Sequence, residues 1–312
     1  FQLPADVAPA EALRQLSRDR RVESVQPLNA FSTMSTHNDP YRSLQRNLDA
    51  MQIEQAHAWS RGEKIRVAVI DTGIDASHPD LKGRIAVQRN LVDASTTPPE
   101  QHGTAVAGVI AALDNNREGI VGVAPAASLL GLKACWPQAN GSGASVCNTF
   151  TLAKALTAAV EERSDIVNLS LAGPADPLLQ RLVEYGAKRG LIYVGALPAG
   201  APGFPCNIGS VICVGSAGEP NPTPQLFAPG AEVLTLLPEG RYDFLSGSSL
   251  ATASVSASIA LLLSKDPGMS ADEARGLLSS TTTQTAGRDV AASINVCAAL
   301  AKLMGHSGCK AE

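Results

Sequence analysis

An α/β fold, a doubly wound and mostly parallel sheet flanked by helices with a small extra segment at the N-terminus, is what this sequence predicts. Three observations carry that prediction. Between residues 65 and 237, short apolar runs alternate with helical patterns, as in strands joined by crossover helices. The runs are nearly continuous Val, Ile and Leu, which suits strands covered on both faces. A chain of 312 residues that is 45% hydrophobic can bury one large core.

The first 36 residues differ from the rest. An amphipathic stretch, 9–18, precedes a strand-like piece, 22–28, and a polar run, 32–38, so residues 1–36 form a separate element and 37–312 the main domain. Candidate strands follow at 65–70, 128–133, 165–169, 191–196, 211–215 and 233–237. Candidate helices lie at 104–113, 151–163 and 178–189, and a long helix of small residues spans 249–264. Seven prolines between Pro198 and Pro229 predict long loops around the last strands.

Composition excludes some partners. The formal net charge is −4 and no dense Lys/Arg run occurs, so nothing offers phosphates a positive field and nucleic acid is not an expected partner. Apolar runs such as 259–263 fall far short of the roughly 18–20 residues that span a bilayer. No basic-then-apolar leader precedes Phe1, so a secretion signal would have been removed from this chain. Six cysteines form three sequence-local couples, Cys135 with Cys147, Cys206 with Cys213 and Cys297 with Cys309, none with CxxC spacing. Fifteen connectivities are formally open, but short loops close most easily. Bridged couples imply an oxidising compartment, hence a secreted or periplasmic protein.

Three segments carry chemistry. VAVIDTGID ends a buried strand with Asp71, where a partly desolvated carboxylate can orient an imidazole. DTG also marks aspartic proteases, but those need two facing aspartates, and here one copy sits in an α/β pattern. His102 opens HGTAVAGVIAAL, a loop turning directly into an apolar helix. Ser249 lies in SGSSLATASV, where Gly247 permits a tight turn and the hydroxyl and N–H sit at the positive end of a helix. A lone histidine is usually structural and a lone serine usually a cap; each gains a role only if the others come within reach. The order Asp, His, Ser is that of subtilisin, and GSSLA stands where a lipase-type esterase needs GxSxG.

From about residue 39 to 300 the chain resembles the subtilases. The matching segments include VAVIDTGIDASHPDL, HGTAVAGVIAALDNN, GIVGVAPAASLLGLKA, GSGAS, DIVNLSLAGP, FPCNIGSVICVGS, FAPGAEVLTLLP and SGSSLATASV, in the family's order. The resemblance implies a subtilisin-like serine endopeptidase in which Ser249 attacks the peptide carbonyl, His102 moves the proton and Asp71 fixes the imidazole tautomer. It implies that Ser170, Leu171, Ala172 and Gly173, with Gly141, Ser142 and Gly143, pair as edge strands with an extended peptide or protein substrate. No cofactor is required for the chemistry. A structural calcium at Asp80 and Asn116 is implied, with a pair of surface turn residues as the plainer alternative.

The sequence departs from the family in three places. Where subtilases place the Asn whose amide donates to the oxyanion, this chain reads GALPAGAPGF; Leu197, Pro198 and Ala199 offer no side-chain donor. Loss of one such donor costs about 3 kcal/mol in the transition state. Asn207, in the adjoining Pro-rich loop, is a candidate substitute. The stretch between Val214 and Phe227 is shortened. The N-terminal ALRQLSRDRRVESVQPLNAF resembles the end of a subtilase propeptide, which makes the chain's own N-terminal segment an expected partner. Two other readings stand beside the peptidase: an impaired subtilase fold that binds a peptide or protein partner, and an esterase using the same serine.

Overall fold

The computed structural model describes residues 9–26, 37–138, 144–197, 203–217, 225–283 and 293–306, with Cys309. The chain divides into two compact units, Phe1–Thr36 and His37–Glu312. In the first, α1 (Pro9–Leu16) is the expected amphipathic helix, with a Glu11–Arg14 ion pair on its exposed face. Residues 22–26 are not the expected strand. Their conformation is set locally, by a Val22 N–H bond to the Asp19 carbonyl and an Asp19 carboxylate that accepts from the Arg21 N–H; residues 27 and 28 lie outside those described.

The second unit opens with two short helices, α2 (Arg46–Ala50) and α3 (Ile53–Ala56). The order is then β1 (Arg66–Asp71), β2 (Ile85–Asn90), α4 (Gln101–Ala111), β3 (Ser128–Lys133), β4 (Cys135–Pro137) and β5 (Ser145–Cys147). Next come α5 (Thr149–Glu161), β6 (Ile166–Leu169), α6 (Pro177–Ala187), β7 (Ile192–Ala196), β8 (Val211–Ser216) and β9 (Leu226–Ala228). Last are β10 (Val233–Leu237), β11 (Arg241–Leu245), α7 (Ser248–Leu263), α8 (Ala271–Ser279) and α9 (Val296–Met304).

Seven strands form one parallel sheet in the order β2-β3-β1-β6-β7-β8-β9. β1 sits between β3 and β6, and the chain winds outward from it in both directions. A strand order that reverses this way leaves a crevice at the carboxyl ends of the strands beside the switch. Asp71 is the last residue of β1 and is paired with Lys133.

Period-two alternation sorts the side chains. Val67, Val69, Leu129, Ile166, Val194 and Ile212 point to one face, into a core closed by α4, α7 and α9. Ala68, Ile70, Leu130, Leu132, Val167 and Tyr193 point to the other, against α5 and α6. α7 is buried from Leu250 to its end, so only Ser248 and Ser249 emerge from the core. Its Ala and Ser content is the price of running a helix through the middle of a packed domain.

Two expectations are corrected here. The stretch 233–237 is a strand, but it pairs antiparallel with β11 as a separate hairpin rather than joining the main sheet. The sheet is completed instead by edge strands β2 and β9. The first is only partly buried and reads IAVQRN, and the second, LFA, is apolar but only three residues long, so neither has a long apolar run.

At the start of the second unit, His57 is buried between its partners. Its Nε2 donates to the Val123 carbonyl (2.9 Å), which leaves Nδ1 to accept from His37 Nε2 (3.3 Å). Burial pushes the His57 pKa down to about 3. The native state therefore holds the ring neutral while the unfolded chain takes up a proton below its ordinary value near 6.5. Stability is complete above that value and falls as pH drops toward 3. We expect Tm to decline between pH 6.5 and 4, and His57→Gln to flatten that slope in a thermal melt series.

Candidate active site

Asp71 is held where the sheet ends. Its Oδ1 accepts from the Thr72 N–H (2.6 Å) and from His102 Nδ1 (2.7 Å), and the residue is buried. His102 is the second residue of α4 and is brought there by a close approach of two backbones. A Cβ on Gly103 would lie 2.6 Å from the Thr72 carbonyl oxygen, so only glycine lets the first turn of α4 lie against the turn after β1. The Gly103 N–H donates to Thr72 Oγ1, adding a second tie between the same elements. The negative charge of Asp71 raises the His102 pKa above the ordinary imidazole value, against desolvation, and the hydrogen bond adds to the rise. With Nδ1 donating to Asp71, Nε2 of the neutral ring is the free acceptor.

Ser249 stands at the start of α7 after Gly247, whose φ of 155° and ψ of 154° belong to a region open essentially to glycine alone. The first N–H groups of a helix have no partner within it, so the Ser249 N–H is available to a ligand. Two reciprocal bonds tie Ser249 to the segment after β6: its Oγ donates to the Ser170 carbonyl (3.1 Å), and Ser170 Oγ donates to the Ser249 carbonyl (2.9 Å). Beneath them, Asn168 Nδ2 donates to Ser170 Oγ and Ser256 Oγ donates to Asn168 Oδ1, so the buried interior of α7 fixes the same segment. The Ser249 hydroxyl is thus engaged with Ser170, while His102 is engaged with Asp71.

A cleft of about 460 Å³ opens next to these groups. Asp71 and His102 line it with Ser170, Leu171, Ala172 and Gly173 on one wall and β5 on the other, above a floor that includes Leu152, Leu179 and Phe204. Gly173 is anchored by a bridge to Phe204, its N–H donating to the Phe204 carbonyl (2.9 Å). β5 pairs with β4 as a hairpin whose stem is closed by the Cys135–Cys147 disulfide. Gly141, Ser142 and Gly143, expected on the facing edge, lie outside the described residues, as do Pro198 and Ala199. Leu197 is buried and its N–H is taken by the Val214 carbonyl; Asn207 is exposed in a turn, its N–H bonded to the Gly203 carbonyl.

The sequence model of the subtilase family matches residues 62–294. The chain belongs to the subtilase family. It is 33% identical to thermitase of Thermoactinomyces vulgaris over 81% of this chain and 93% of thermitase. It is 37% identical to the major intracellular serine protease of Bacillus subtilis (strain 168), over 68% of this chain and 73% of that one. With subtilisin E of the same organism it shares 34% identity over 71% of this chain and 61% of that protein. At family level this subtilase is a subtilisin-like serine protease whose substrates are peptides.

The expected calcium position is a closed hydrogen-bonded cluster. Asp80 is fully buried, while Asn116 is half-buried in a bend. Its Oδ1 accepts from the Asn116 amide (2.8 Å) and its Oδ2 from the Ile120 N–H (3.0 Å), while Asn116 Oδ1 accepts from the Glu118 N–H (2.8 Å). Calcium takes about six to eight oxygen ligands. Here both carboxylate oxygens are occupied by N–H donors, and among the described residues no group of three or more His, Cys, Asp or Glu could hold a metal ion. The residues present do not fit the ion.

Sequence reasoning missed two features of this subtilase. One is the hydroxyl and amide chain from Ser256 to Ser249, invisible because its members are far apart in sequence. The other is an ion pair of Lys133 with Glu100 beside the site; its one signal was a lysine closing the apolar run SLLGLK. All three disulfides join the expected couples.

A general-base role for His102 predicts that kcat/KM rises with pH through a value above the ordinary imidazole pKa. Asp71→Asn should lower kcat by about 10⁴, as expected when the tautomer is lost, and move that limb down; a pH–rate profile checks both. Replacing Cys135 and Cys147 by Ala should cost about 3 kcal/mol in a denaturant melt. It should also raise KM for long peptides more than for short ones, since β5 walls the cleft.

Proposed function

We propose that this subtilase is an endopeptidase working through an acyl-enzyme, with Ser249 as nucleophile, His102 as general base and then acid, and Asp71 as the group that orients and charges the imidazole. The observation that carries the reading is the 2.7 Å bond from His102 Nδ1 to Asp71, set at the rim of the cleft whose wall, Ser170, also binds Ser249. In attack, the Ser249 hydroxyl exchanges the Ser170 carbonyl for His102 Nε2 as its acceptor. His102 takes the proton as the Oγ–carbonyl bond forms and returns it to the leaving amine, and water repeats the sequence in reverse.

The oxyanion falls to the Ser249 N–H at the positive end of α7. A second donor from the Pro-rich loops, Asn207, remains part of the reading; Asn207→Ala should then slow peptide cleavage. An extended peptide lies along Ser170–Gly173, main chain to main chain, with Gly141 to Gly143 as the opposite edge. The N-terminal unit is read as the remnant of a propeptide, and three disulfides support a secreted or periplasmic location. No helix among the described residues is long and apolar enough to cross a membrane.

A fluorophosphonate probe should label Ser249, with peptide turnover in the same preparation. Ser249→Ala should abolish both, and intact-mass measurement should find the N-terminal segment retained in that variant and lost from the unmutated chain. Labelling without peptide turnover, or turnover of activated esters alone, would remove the endopeptidase. We also expect chelation by EDTA to leave Tm unchanged, since the Asp80 cluster is read as a lock made by its own hydrogen bonds.

A further inference from the structure

Glu100 occupies the N-cap position of α4, two residues before His102, yet its side chain does not cap the helix. The carboxylate turns toward β1 instead. Its Oε2 accepts from the Gly73 N–H (2.5 Å), two residues after Asp71, and from Lys133 Nζ. Backbone bonds run alongside: the Glu100 N–H donates to the Gly73 carbonyl (3.1 Å), and the Glu100 carbonyl accepts from the Thr104 N–H (3.2 Å). Lys133 is the last residue of β3, opposite Asp71 in the sheet, and Nζ also donates to the Cys135 carbonyl at the root of the cleft-lining hairpin (2.9 Å). The two side chains are only 13% and 5% exposed.

A buried ion pair is poor evidence of stability, because packed apolar residues of similar volume usually do as well. What such a pair supplies is registration, and here it joins three pieces: the approach to His102, the turn after Asp71 and the strand leading to the substrate hairpin. It also sets a negative charge two residues before His102 and a positive one opposite Asp71 in the sheet.

We propose that Glu100 and Lys133 are a positioning pair for the hydrolysis described above, fixing the start of α4 against the end of β1 and presenting to His102 two charges that cancel. The proposal rests on that reading for its catalytic meaning, though not for its electrostatics. Among the described residues, Asp71 on β1 and Asp176 at the head of α6 line the same cleft as His102, and Asp93 lies in the loop before α4. Asp71 is the charge that sets the imidazole pKa. Asp176 is tied to Thr149 and the first N–H groups of α6, and Asp93 is exposed and bonded to Ser95.

The test is a charge cycle. In Glu100→Gln the surviving lysine disfavours the imidazolium, so the His102 pKa should fall. In Lys133→Met the surviving carboxylate favours it, so the value should rise. Each shift should be about half a pH unit, the order expected of one uncompensated charge in a half-solvated site. The double variant should return near the original value. NMR titration of His102, assigned with His102→Gln, reads the shifts without turnover, and the acid limb of kcat/KM should follow them. Shifts of equal sign in the two single variants, or none, would overturn the pair. Glu100→Gln is isosteric and still accepts from Gly73, so it decides alone if Lys133→Met fails to fold. Opposite NMR shifts in a chain without peptidase activity would keep the pair and remove the hydrolysis.

Discussion

One carboxylate oxygen, Asp71 Oδ1, holds the chemistry of this subtilase to its scaffold. It accepts from the residue that turns the chain out of the sheet and from the imidazole that begins a helix on the far side of that turn. The bond can exist because β1 is central and buried on both faces, so the carboxylate is presented at a fixed depth. The missing side chain of Gly103 and the Thr72 hydroxyl keep α4 where this bond can form, and the Glu100–Lys133 pair is proposed to do the same.

Ser249 is positioned by different means. α7 passes through the core, where an unpaired hydroxyl is costly. Ser254 Oγ has no partner there among the described residues, but two of the helix's other serines pair, Ser258 back to the Ser254 carbonyl and Ser256 across to Asn168. The second of these reaches Ser170 and so couples the buried body of the helix to the wall of the cleft. Polar atoms in the core are here a means of orienting the surface.

Much of this was legible in the sequence, and the pattern of what was not has physical causes. β3 and β10 were found to the residue and β1, β6, β7 and β8 to within one, because a strand covered on both faces writes itself as an uninterrupted apolar run. Edge strands β2 and β9 do not, and a run such as 233–237 does not state which strand it will pair with. Asp71, His102 and Ser249 stood out through their motifs, whereas the partners that orient them, Ser170, Asn168 and Glu100, are ordinary residues made relevant by distance alone. Asp80 and Asn116 were legible as a pair; that they bind one another, through an amide and a carboxylate, required coordinates.

The burial of α7 also bears on when the molecule becomes active. That helix packs on β1, β6, β7, β8, β9, α4 and α9, elements drawn from nearly the whole length of the second unit. Contacts so distant along the chain close late and slowly. During synthesis Asp71 and His102 emerge well before Ser249, and that serine has no fixed place until the sheet that α7 threads has closed around it. Assembly order itself therefore leaves an unfinished chain without the last residue of the proposed set.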